Sequence, residues 1–63
     1  MKVREVASIG LLKVFADEIF KTIDICLYER YDGGIRVWES TMPPESAYDF
    51  AKSIMEAAEE MLE

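Results

Sequence analysis

Histidine is absent from this 63-residue chain, and cysteine occurs once, at Cys26. A zinc site needs several Cys or His ligands and an internal disulfide needs two thiols, so one chain supplies neither. Nucleophilic catalysis needs a base beside the nucleophile, and the commonest base is missing. We therefore predict a non-enzymatic protein with no metal and no cofactor, in which Cys26 is a small, inert, partly buried side chain.

Long apolar runs are also missing. No segment approaches the roughly 18 to 20 apolar residues of a membrane span. The first residues carry the charges of Lys2, Arg4 and Glu5, where a signal peptide would be apolar. We therefore expect a cytoplasmic protein with no membrane partner.

Little core is available to a chain of this length, which buries only roughly 60% of the surface that its unfolded form exposes. Apolar residues make up 51% of the sequence, so the chain should nevertheless fold. Small domains usually add a disulfide, a metal or self-association to such a core. Because the first two are excluded here, we predict a homodimer.

The C-terminal segment has the clearest pattern in the sequence. Apolar side chains recur at spacings of three and four residues, with acidic ones between them, and Pro43 and Pro44 suit a first helical turn. This pattern predicts an amphipathic helix over about residues 43–62. Residues 41–63 carry one basic and six acidic side chains, so they account for −5 of the total net charge of −6.

Upstream of this helix, β-branched and aromatic residues alternate with polar ones, which is typical of strands. We predict strands at about residues 2–9, 11–16, 19–31 and 35–40. A helix over residues 5–16 stays open as an alternative, because apolar residues there are also three apart. The predicted fold is a single α+β domain, residues 1–63: an antiparallel β-meander of three or four strands, followed by one C-terminal amphipathic helix packed on one sheet face.

The Asp-Gly-Gly sequence at residues 32–34 predicts the turn of a hairpin. A two-residue turn would mix apolar and charged groups on each face. A three-residue loop, with the second glycine in a left-handed bulge position, would place Tyr28 opposite Trp38 and Arg30 opposite Arg36. We favour the three-residue loop, because a buried apolar face is what fixes strand register.

That register would create a face with aromatic and basic side chains around Cys26, too apolar to be left in water. Tyr, Trp and Arg are enriched in interface cores. Our first interpretation is therefore a homodimeric module that binds another protein. The predicted contact residues are Tyr28, Arg30, Arg36 and Trp38.

Two other functions stay open. Bases stack on exposed aromatics while cations track phosphates, so the same face would suit single-stranded DNA or RNA, with Lys13 and Lys21 as weaker phosphate contacts. The net negative charge argues against this function. Alternatively, the acidic helix would occupy a basic nucleic-acid-binding groove of a partner protein, as an inhibitor.

Overall fold

The computed structural model describes residues 2–63, in which four antiparallel strands form one sheet in the order β1-β2-β3-β4 and one helix follows. The elements are β1 (Val3–Ile9), β2 (Leu12–Asp17), β3 (Thr22–Tyr31), β4 (Gly34–Met42) and α1 (Pro44–Leu62). The predicted α+β meander with a C-terminal helix is confirmed. The helical alternative for residues 5–16 is wrong, because this segment lies in β1 and β2.

β3 begins at Thr22, three residues later than predicted, because residues 18–21 form a turn. The carboxylate of Asp17 accepts hydrogen bonds from the backbone amides of Ile19, at 2.9 Å, and Phe20, at 3.1 Å. Asp side chains stabilise turns in this way. Lys21 completes the turn with a φ of +57°.

The hairpin between β3 and β4 has a two-residue turn, so the predicted three-residue loop is wrong. Tyr31 lies opposite Gly34, and Leu27 lies opposite Trp38. Gly34 has a φ of +139°, which side-chain-bearing residues rarely adopt, but it lies within β4 and not in a bulge. The apolar and charged residues of the hairpin are therefore not separated onto two faces.

Contacts at the hairpin tip explain why this mixed register is tolerated. The Arg36 guanidinium lies 5.1 Å from the ring centre of Tyr31 and 5.6 Å from that of Trp38. Its Nη1 is 3.5 Å from Glu29 Oε1. We call these four residues the tip cluster. Because β2 pairs with β3 only as far as Leu27, the positions of Glu29, Tyr31 and Arg36 extend beyond β2, and the charges of the cluster need not be buried.

The sheet has two distinct sides. We call the side that faces α1 the helix side and the other the open side. Strand pairing places the tip cluster on the helix side, together with the apolar residues Val6, Ala7, Leu12, Val14, Ile23, Ile25 and Leu27. The open side carries Lys13, Phe15, Asp24, Cys26, Tyr28, Arg30, Val37 and Glu39.

The packing of α1 on the sheet is slight. No residue of the helix is buried, and Cys26 is the one buried residue among residues 2–63. The radius of gyration is 13.8 Å, whereas a compact chain of this length has about 11 Å. The single chain is therefore much less compact than its length allows.

Gly33→Ala is expected to disturb the tip cluster. An added Cβ would lie 2.8 Å from Cε2 of Tyr31, so the ring must shift, which is expected to weaken its contact with Arg36. We expect the free energy of unfolding to fall by about 0.5–1 kcal/mol, the usual strength of an exposed cation–π contact. Denaturant titrations of Gly33→Ala, Tyr31→Ala and the double variant measure this effect. An equal cost of Gly33→Ala with and without the Tyr31 ring would contradict the explanation.

Candidate interaction surface

The helix side of the sheet and α1 enclose an open cleft of about 480 Å³. Its floor comes from the first three strands and its wall from the first half of the helix, and almost all of its lining is apolar. The wall is formed by Pro44, Ala47, Tyr48, Phe50, Ala51 and Ile54. The apolar residues of the strands and those of the helix both face this space, and neither set fills it.

Side chains around the cleft keep about half of their surface exposed. The exposed fraction is 54% for Phe50 and 55% for Ile54 on the helix. On the sheet, Val6 is 46% exposed. Full burial of one such side chain stabilises a fold by about 1.5–3 kcal/mol, so the single chain leaves much of this stabilisation unused.

A shallower pocket of about 250 Å³ lies beside the cleft, at the edge of β4. It is lined by Ile25 and Leu27 from β3 and by Trp38, Glu39 and Ser40 from β4. Ile25 belongs to both pockets, so apolar surface continues from the cleft to Trp38. We call this continuous region, from the exposed face of α1 to Trp38, the apolar surface.

The four predicted contact residues do not share a face. Arg36 and Trp38 lie on the helix side, whereas Tyr28 and Arg30 lie on the open side. The single aromatic and basic face is therefore wrong, because it depended on the three-residue loop. The part that each of the four residues plays in binding stays a prediction.

The two predicted phosphate contacts are also apart. Lys13 lies on the open side, where its Nζ is 3.4 Å from Glu5 Oε1 and donates a hydrogen bond to Ser8 Oγ at 3.3 Å. Lys21 lies in the turn before β3. The charge of Lys13 is thus partly neutralised by its own neighbour on β1.

Cys26 lies in the middle of the open side and is only 5% exposed. Burial raises the pKa of its thiol, and the nearby carboxylates of Glu39 and Asp24 raise this pKa further. The sulfur is 3.7 Å from Glu39 Oε2. The thiol is therefore protonated near neutral pH, and a protonated thiol is a poor nucleophile.

The outer side of α1 is acidic and exposed. The three ion pairs found within residues 2–63 all lie in the sheet region and its turns, so none involves this helix. The acidic side chains of α1 therefore face solvent without cationic partners.

The same part of the chain contains no helix with the length and apolar character needed to cross a bilayer.

Comparison of the chain with models of known protein families, with curated proteins and with solved structures gives no match. Its function must therefore be inferred from the apolar surface and the open side.

Proposed function

We propose that this protein is a non-enzymatic interaction module that functions as a homodimer, joined through the apolar surface. One observation carries the proposal. The chain exposes 5344 Å², whereas a compact monomer of 7.2 kDa exposes about 4,100 Å². The excess of about 1,200 Å² is more than the roughly 800 Å² that each partner buries in a stable interface of standard size.

A second copy is the partner that this surface fits best. Each chain has both a cleft with apolar walls and an exposed apolar stripe on α1. Two copies can therefore cover each other's exposed apolar side chains. The stripe continues to the end of the helix, where Met61 and Leu62 are 84% and 85% exposed. A two-fold interface needs such a self-complementary surface.

The distribution of charge is compatible with this dimer. The acidic side chains of α1 lie on its outer side and stay in water when the apolar stripe is covered. Two chains of net charge −6 repel each other, and salt screens that repulsion. The dimer should therefore bind more tightly as ionic strength rises.

Sedimentation equilibrium of the wild-type protein at low and moderate salt tests the proposal. We expect a dimer whose dissociation constant falls with added salt. Because the single chain has almost no buried core, the midpoint of thermal unfolding should also rise with protein concentration. A monomer at all concentrations, with a midpoint independent of concentration, would contradict the proposal.

A second candidate function is the binding of single-stranded nucleic acid on the open side. It is favoured by one observation: Tyr28 and Arg30 follow each other along β3, on the same side as Lys13. An aromatic ring flanked by cations suits a base and its phosphates. The carboxylates of Asp24 and Glu39 on the same side oppose it.

Fluorescence anisotropy of a labelled oligothymidylate, titrated with wild type and with Tyr28→Ala, tests this second function. We expect its affinity to fall with salt, because phosphate binding releases counterions. The salt dependence is thus opposite to that of the dimer. Affinity that Tyr28→Ala leaves unchanged would exclude the open side as the binding site.

A further inference from the structure

The outer edge of β4 has free backbone groups whose positions follow from one hydrogen bond. The amide of Tyr28 donates to the carbonyl of Leu11 at 2.9 Å, which makes Leu12 and Leu27 a pair without mutual hydrogen bonds. The N–H and C=O of Leu27 therefore face β4 and bond to Trp38. By the alternation of the ladder, the N–H and C=O groups of Ile35, Val37 and Glu39 point away from the sheet.

The two edges of the sheet differ in how they are protected. The β1 edge has a bulge between Glu5 and Ala7. β4 is nine residues long and has neither a bulge nor an internal proline or lysine. Ile35 and Val37 on this strand are 63% and 50% exposed. Natural sheets usually protect such an edge or pair it with another strand.

We propose that β4 pairs antiparallel with β4 of a second copy, so that the two sheets join into one of eight strands. This inference rests on the proposed homodimer and specifies how its two chains meet. We call the line along which the two β4 strands pair the seam. A two-fold axis must pass through the seam, and only a few residues of β4 can lie on that axis. An axis at Arg36 or at Glu39 would place like charges directly opposite each other, which is destabilising.

An axis at Val37 or Trp38 avoids this repulsion. With the axis at Val37, Arg36 lies opposite Trp38 of the second copy, and the cation–π contacts of the tip cluster continue across the seam. With the axis at Trp38, the two tryptophans face each other. In both registers Trp38 belongs to the seam, which gives a reason for its exposure of 54% in the single chain.

The helices support the same arrangement. A two-fold axis perpendicular to the joined sheet keeps both helices on one side of it. α1 begins two residues after the end of β4, so the two helices start at opposite ends of the seam. On the helix side, the Trp38 end of each apolar surface then adjoins that of the other chain at the seam.

Val37→Pro tests the seam. The N–H of Val37 points outward and contributes nothing to the β3–β4 ladder, so its loss should affect only pairing with a second copy. Proline is tolerated at such edge positions, whereas a strand cannot add to them. We expect the dissociation constant of the dimer to rise at least ~100-fold, since several backbone hydrogen bonds are lost together. The matched control is Ser8→Pro, at a position of β1 whose N–H also points outward, and it should dimerise like wild type.

Hydrogen exchange in the wild type gives a second test that needs no substitution. In the dimer, the amides of Val37 and Glu39 should exchange at least ~10-fold more slowly than that of Ser8, and the difference should vanish on dilution to monomer. A stable dimer with a fast Val37 amide, or one unaffected by Val37→Pro, would overturn the seam and leave the homodimer intact. A monomeric wild type would overturn both.

Discussion

Ile54→Asp is expected to turn the proposed homodimer into a monomer. Ile54 lies in the middle of α1, lines the cleft and keeps 55% of its surface exposed in the single chain. In the proposed homodimer the second copy covers this side chain. A carboxylate covered there without a partner costs several kcal/mol, so the dissociation constant should rise at least ~100-fold, measured by sedimentation equilibrium.

Ser53→Asp is the matched control for this variant. It adds the same charge one residue earlier on the same helix, on the outer side that the dimer leaves in water. The hydroxyl of Ser53 donates one hydrogen bond, to the carbonyl of Asp49 at 3.1 Å, and its loss should have little effect. The control should dimerise like wild type.

Folding of the Ile54→Asp variant provides a further readout. Because Cys26 is the one buried residue in the described part of the chain, a monomer has little core to hold it together. We expect the variant to lose cooperative thermal unfolding at concentrations where Ser53→Asp retains it. If both variants remain dimers of equal stability, the apolar surface is not the interface.

Much of the fold could be predicted from the sequence, because it is encoded in local patterns. Period-two alternation identified the strands, and the three-to-four spacing of residues such as Phe50 and Ile54 identified the helix. The position of the β3 start was wrong by three residues. Its turn depends on hydrogen bonds from Ile19 and Phe20 to the Asp17 side chain, and these have no periodic signature.

The hairpin register could not be predicted, because the apolar pattern alone favours the wrong one. A three-residue loop would separate apolar from charged residues, but it would place Arg30 opposite Arg36. The observed turn instead places Arg36 beside Glu29 and between two aromatic rings. A shift of one residue moves every side chain of a strand to the other face, so this local choice decided the composition of both sides.

The sequence singled out two residues of β4 beside the apolar surface, and their role in binding stays a prediction. Trp38 lies at the end of this surface, and Arg36 lies beside Trp38 on the same strand. The sequence did not predict Tyr31 as a member of their cluster, although its position beside the turn was a signal. Nor could it predict that Ile54 stays half exposed, because this depends on how loosely α1 lies on the sheet and not on the apolar spacing within the helix.

Cys26 is expected to react with iodoacetamide on the order of 100-fold more slowly in the folded protein than in denaturant at the same pH. The thiol is 5% exposed, and burial together with Glu39 and Asp24 raises its pKa. The folded thiol therefore reacts slowly, because both access and the thiolate form are suppressed in the folded state. A mass shift followed over time measures both rates, and equal rates would contradict the buried, protonated thiol.

The carboxylate of Glu39 provides the sharper test of this environment. Glu39→Gln removes the charge 3.7 Å from the sulfur, so the pKa of Cys26 should fall toward its ordinary value and alkylation should become faster. Asp32→Asn removes the same charge at the hairpin tip and should leave the alkylation rate unchanged.

The raised pKa of Cys26 also makes the free energy of unfolding depend on pH. Because the folded state favours the protonated thiol, the contribution of Cys26 to stability is fully present below the ordinary thiol pKa of about 8.5 and is lost as pH rises above it. This alkaline loss should be smaller in Glu39→Gln and absent in Cys26→Ala, and a loss of equal size in all three proteins would assign it to other groups.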